Sequence, residues 1–173
     1  MSSMDAAPPA LEARRTVAID FLFLDLSTCG RCLRTGANVE AALAALGDVL
    51  QATGTPVELR KIHVQSVEQA RELEFVSSPT IRVNGRDIAS EALESECGDG
   101  CGCGPGASCR VWLHAGREHT AAPVAMIVDA VLAEVYAGTA RVDSPPAPYE
   151  LPDNLARVFA ARDAADSGGG CYG

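Results

Sequence analysis

Hydrophobic and polar positions along this chain change period several times, and each change marks an element. Residues 16–26, "TVAIDFLFLDL", form a nearly unbroken apolar run rich in β-branched and aromatic side chains. Such a run suits a strand covered on both faces, as in the central sheet of an α/β protein. From Cys32 the period becomes helical. Leu33, Val39, Leu43, Leu46 and Leu50 fall near one face, with alanines between them, until Thr53-Gly54 ends the pattern. "PVELRKIHV" (56–64) alternates and predicts a second strand. "SVEQARELEF" (66–75) predicts a short helix, with Ser66 as N-cap and Gln69 in the capping-box position.

Asn84-Gly85, between two short β-prone runs in "VSSPTIRVNGRDI" (76–88), is a strong hairpin signal. "CRVWLHAGREHT" (109–120) predicts a second hairpin about Ala115-Gly116, with Trp112 packing in its first strand. Residues 123–136 predict a helix whose buried stripe is Val124, Ile127, Val128, Val131, Leu132 and Val135, with Pro123 near its first turn. A Pro-rich linker and a short weak helix at 153–163 follow. The order β-α-β-α-β-β-α implies a right-handed parallel crossover followed by antiparallel strands at one side of a mixed sheet. The expected organisation is a disordered arm (1–15), an α/β domain (16–138) and a Pro/Gly-rich tail (139–173). Within the domain, residues 90–109 read as a Cys/Gly insertion with little power to form a core.

Composition narrows the function. Apolar residues make up 47% of the 173 and charged residues 21%, enough for a real core. The net charge of −9 argues against nucleic acid or an anionic membrane as partner. No secretory signal is visible at the start and no apolar stretch is long enough to span a bilayer, so the expected compartment is the cytoplasm. There, seven cysteines are expected to be catalytic or metal-bound, not a structural disulfide framework.

Cys29 and Cys32 form a Cys-x-x-Cys motif at a strand-to-helix junction. The first cysteine of such a motif sits at a helix N-terminus, where free N–H groups and the helix dipole stabilise a thiolate. These positions lower a thiol from about 8.5 to roughly 3.5–7.5. Cys29 is thus the expected exposed nucleophile. Cys32, one turn in and more buried, would resolve a mixed disulfide. Arg31 adds a fixed positive charge. Read from the residues, the pair serves redox chemistry, half of a metal site, or packing.

With "AIDFLFLDL", "CGRC" opening a helix, and "SSPTIRVNGRDI", residues 16–137 resemble the thioredoxin-like superfamily. The resemblance implies a cis Pro79 facing the cysteine pair, with the backbone of Ser78 offered to a substrate chain. It also implies thiol–disulfide exchange with protein or small-molecule thiols. Thr28 and Arg31 depart from the thioredoxin pattern, and Phe23 stands where thioredoxins carry a buried acid. Asp25, two residues on, is the candidate proton acceptor.

"ECGDGCGCGPGASCR" holds Cys97, Cys101, Cys103 and Cys109 in a glycine-rich stretch, spaced C-x3-C-x-C-x5-C. Glycine allows a short loop to wrap round a point. Four thiolates at about 2.3 Å from a tetrahedral ion would order it. Zinc is the leading expectation; an iron–sulfur cluster, another soft ion, or disulfides stay open, because the spacing matches neither zinc-ribbon nor common iron–sulfur runs. The insertion, the "CRVW" hairpin and the following Pro-helix resemble a cysteine-rich prokaryotic branch of that superfamily, of unknown function.

Among the remaining candidates, His63 reads as a surface or core residue. His114 and His119 lie close enough in sequence to Cys109 to replace a ligand. Cys171 sits on a Gly-rich end, where an incidental thiol is the simplest reading. The leading expectation is a thiol–disulfide oxidoreductase with a metal-binding loop. Its rival is a binding or trafficking protein for a soft metal or metalloid, with Cys29 and Cys32 as exchange ligands.

Overall fold

The computed structural model describes residues 16–97, 106–136 and 148–167. The 1–15 arm, Cys101, Cys103, the 139–147 linker and Cys171 lie outside the described residues.

The apolar run forms β1 (Val17–Phe23), shorter than the 16–26 pattern. The chain bends before a long helix, α1 (Gly30–Ala52). There follow β2 (Val57–His63), α2 (Val67–Glu72), β3 (Thr80–Val83) and β4 (Arg86–Asp87). The order is β2-β1-β3-β4, with β1 parallel to β2 and antiparallel to β3. The Asn84-Gly85 turn joins β3 to β4 with positive φ at both residues, the hairpin conformation that the sequence signalled. β1 lies inside the sheet and is buried almost throughout, as its unbroken apolar run requires.

α1 crosses over β1 closely because position 36 is glycine. A Cβ there would stand 3.1 Å from Phe21 Cε1, a tight contact to which the ring would have to yield by a few tenths of an ångström. The buried stripe of α1 is Cys32, Thr35, Gly36, Val39, Ala42, Leu46 and Leu50. Leu33, expected on that face, is exposed instead; the stripe follows the short residues that let Phe21 approach.

The insertion differs most from expectation. Residues 93–96 form β5 (Leu93–Glu96), which pairs antiparallel with β6 (Ser108–His114); β6 in turn pairs with β7 (Arg117–His119). Cys109, Arg110, Val111 and Trp112 are all buried in succession, so β6 is covered on both faces and the end of the insertion is core. Leu113 is the exposed member of that strand.

α3 (Val124–Tyr136) packs against α1. α4 (Asp153–Ser167) meets α2 and buries Leu155, Val158 and Phe159, extending beyond the predicted 153–163. The result is a mixed α/β structure with its sheet flanked by helices, consistent with a thioredoxin-like arrangement. Among the described residues no helix is long and apolar enough to cross a membrane.

Candidate functional site: a buried sulfur cluster

Cys29 is the N-cap of α1. Its backbone is extended, and its Sγ accepts the N–H of Cys32 at 3.4 Å. That hydrogen bond and the dipole of a 23-residue helix both favour negative charge on the Cys29 sulfur. The loop before it is fixed by Asp25, which accepts hydrogen bonds at 2.6 Å from Ser27 N–H, Ser27 Oγ and Thr28 Oγ1. Burial works to raise the Asp25 pKa, but hydrogen bonds from Ser27 and Thr28 outweigh it and hold the group down at about 2. A carboxylate so anchored braces the loop that leads into α1.

Cys32 Sγ lies 3.5 Å from Ser78 Oγ. The Ser78–Pro79 bond is cis, and Leu24 N–H donates to Ser78 Oγ at 3.1 Å, so this serine ties the end of β1 to the loop before β3. The Cys32 thiol is pushed far above its ordinary range, first by its hydrogen bond with Cys29 and then by burial; the hydrogen bond with Ser78 pulls the other way. Cys32 therefore keeps its proton and shares it with Cys29.

This raised pKa predicts a pH dependence. A thiol whose folded pKa exceeds its unfolded value of 9.0 contributes stability that is complete below that value and lost as pH climbs beyond it. The reduced protein should lose up to about 1.4 kcal/mol per pH unit above roughly pH 9. Urea melts between neutral and strongly alkaline pH should show the slope in the parent chain and a flatter profile in Cys32→Ala. Equal slopes would remove Cys32 as its source.

The feature that the sequence did not disclose is the third sulfur. Cys109, eighty positions from Cys29, places its Sγ 3.9 Å from Cys29 Sγ. Cys109 is itself joined to Cys97 by a disulfide. Cys29, Cys32 and Cys109 are each 0% exposed. The expected exposed nucleophile is thus a buried one, because the β5–β6 ladder lies over it.

Several side chains hold that ladder down. Arg31 does not stand beside the cysteines as a free charge; its guanidinium donates to Ser95 Oγ at 2.8 Å, Glu96 O at 3.1 Å, Cys109 O at 3.3 Å and Ser95 O at 3.4 Å. Arg110, 1% exposed, donates to Asp87 Oδ2 at 2.7 Å and Thr80 Oγ1 at 3.1 Å, and its guanidinium lies 5.2 Å from the Trp112 ring centroid. Asn154 of α4 accepts from Ser108 N–H at 3.0 Å and donates to Ser108 O at 3.0 Å and to Glu94 at 3.2 Å. The backbone contributes too. Arg110 N–H donates to Ser78 O at 2.8 Å, so the carbonyl expected to meet a substrate chain is occupied by this protein's own strand.

The sequence pointed to Cys29, Arg31, Cys32, Ser78 and Pro79 on one side and to Cys97 and Cys109 on the other. The structure brings the two groups together. Arg110 and Asn154 carried no signal, since neither belongs to a motif. His63 is structural: it stacks on Phe23 and shares a hydrogen bond with Leu24 O. His114 lies 4.0 Å from Asp129, and His119 pairs with Trp112 across β6–β7. Among the described residues no group of three or more His, Cys, Asp or Glu side chains is set to hold a metal ion. Of the four expected ligands, Cys97 and Cys109 are joined to each other, and Cys101 and Cys103 lie outside the described residues.

No curated protein and no solved structure matches the chain. A family model described as "Domain of unknown function (DUF2703)" matches residues 17–131, a span that holds Cys29, Cys32, Ser78, Cys97 and Cys109 and stops short of α4. The chain is a cysteine-rich member of the DUF2703 family.

Proposed function

We propose that the protein carries out thiol–disulfide exchange through two internal pairs, Cys29–Cys32 and Cys97–Cys109. The observation that carries this reading is the 3.9 Å between Cys29 Sγ and Cys109 Sγ, a thiol set against a disulfide. The strand, the Cys-x-x-Cys helix start and the cis-proline loop support it, as features shared with thioredoxin-like proteins.

The chemistry balances within the chain. Cys29 thiolate attacks Cys109 Sγ; the Cys97–Cys109 bond breaks, and its electron pair leaves on Cys97. Once Cys29 is bonded, it no longer carries the charge and the acceptor that kept the proton on Cys32. Cys32 then passes its proton to the departing sulfur, attacks Cys29 Sγ and displaces Cys109 as a thiolate. Two electrons move from the first pair to the second, with no external oxidant. A disulfide that a neighbouring thiol can open is an exchange partner, in keeping with the rarity of purely structural disulfides in reducing compartments. No step is assigned to a metal.

The test uses chains in which Cys101, Cys103 and Cys171 are serine. In the further variant Cys32→Ser/Cys97→Ser, mild oxidation should join Cys29 to Cys109 in most molecules, read as a linked peptide in a non-reducing digest. If both stay as thiols while circular dichroism shows an intact fold, the relay is wrong.

A further inference from the structure

The relay ends at Cys97, and this residue differs from the other three. Cys29, Cys32 and Cys109 have no exposed surface, whereas Cys97, following β5, keeps part of its surface in solvent. Access to Cys29 from outside is closed by the chain itself. Arg110 N–H occupies Ser78 O, Arg31 bonds the carbonyls of Ser95, Glu96 and Cys109, and Asn154 grips Ser108 on both its N–H and its C=O. Opening that route means breaking all of these contacts at once. Reaching Cys97 breaks none of them.

We propose that Cys97 is the sulfur that meets the external partner, and that this partner is a small thiol or, in the reverse direction, its disulfide. The inference rests on the two-pair relay. Partner size follows from the main chain that leads into Cys97. An extended peptide needs backbone groups to bond, but Cys97 N–H already donates to Ala107 O at 3.1 Å, and Ser95 O and Glu96 O accept from Arg31. A small compound needs only the sulfur.

In the state described here, the partner thiolate attacks Cys97 Sγ. The Cys97–Cys109 bond breaks, and its electron pair leaves on Cys109, beside Cys29. A second partner thiolate attacks the partner's sulfur in this mixed disulfide, releasing Cys97 as a thiolate and the partner as its own disulfide. Two small thiols are oxidised, one protein disulfide is reduced, and the two protons end on Cys97 and Cys109. Run backwards, the reduced pair consumes a small disulfide. Cys109, buried within the ladder, acts as the bridge between the partly exposed Cys97 and the buried dithiol.

Glutathione disulfide is a suitable probe. In full-length protein with Cys101, Cys103, Cys171 and Cys109 all replaced by serine, Cys97 should take up glutathione at least about tenfold faster than Cys29 or Cys32, because attack needs an accessible thiolate. Faster addition at Cys29, or equal rates at the two positions, overturns the proposal. A companion measurement avoids the Cys109 change. The chain with Cys97–Cys109 intact is treated with reduced glutathione, quenched in acid and mapped; the first mixed disulfide should lie on Cys97, and its appearance on Cys109 or Cys29 counts against the proposal. Failure of Cys29 to join Cys109 in the earlier experiment would remove the relay while leaving the Cys97 result standing, so the two are separable.

Discussion

Arg110→Ala should destabilise the protein by about 3–5 kcal/mol, the cost typical of removing one partner from a buried ion pair. Thermal unfolding should then come roughly 10 °C lower, since about 1 kcal/mol moves the midpoint by 2–4 °C in a chain of this size. Arg110 is 1% exposed and its guanidinium bridges β6 to Asp87 and Thr80. Removing it strands the Asp87 carboxylate, leaves Thr80 Oγ1 without a donor, and opens a cavity beside Trp112. One guanidinium nitrogen, Nε, is buried with no hydrogen-bond partner among the described residues, so Arg110 is already an imperfectly satisfied group. Its contribution lies in neutralising Asp87 and filling space, not in a complete set of bonds. Adding Asp87→Asn should recover part of the loss by removing the stranded charge. Urea melts of both variants measure the two terms. A loss below about 1 kcal/mol in Arg110→Ala would mean that Asp87, which is partly exposed, rehydrates freely and that β6 is held by its main chain alone.

Arg31→Gln should slow the joining of Cys29 to Cys109 by roughly 100-fold, since about 1 Å of misplacement between reacting groups can cost that much. Arg31 touches neither sulfur; it spans Ser95, Glu96 and Cys109 and fixes where Cys109 sits relative to the start of α1. It is a positioning residue. Arg31→Lys should rescue little, because one ammonium cannot reproduce a planar fork that bonds several oxygens at once. The readout is the rate of Cys29–Cys109 linkage in the Cys32→Ser/Cys97→Ser background, set against the urea midpoint of the same protein. A slow rate with an unshifted midpoint identifies positioning. An unchanged rate in Arg31→Gln rules the role out.

What could be read from the sequence was local chemistry. The long apolar run, the Cys-x-x-Cys at a helix start, Ser66 as an N-cap and the Asn84-Gly85 and Ala115-Gly116 turns each rest on a few adjacent residues, and each forms as expected. Contacts between distant segments could not be read this way. Nothing in the spacing of seven cysteines says that Cys109 meets Cys29, because cysteine count constrains pairing without choosing it. β5 was missed for a related reason. "LESE" has weak strand propensity and becomes a strand because β6 offers a ladder and because Arg31, Ser77 and Asn154 hold it there. Arg110 lay outside every motif, and its burial comes from β3 and β4, whose Thr80 and Asp87 accept its guanidinium.

The Asn154 grip on Ser108 also bears on where this protein can be cut. The family match ends at residue 131, inside α3, yet the strand that carries Cys109 is clamped by a side chain more than twenty positions further on. Arg162 and Tyr149 add ties from the same region to Leu24 and Phe75, next to the ends of β1 and α2. The stretch matched by the family model is therefore shorter than the stretch whose side chains hold Cys109 in place. Relatives that share the cysteines but lack an equivalent of α4 would hold the same sulfurs with a looser hand.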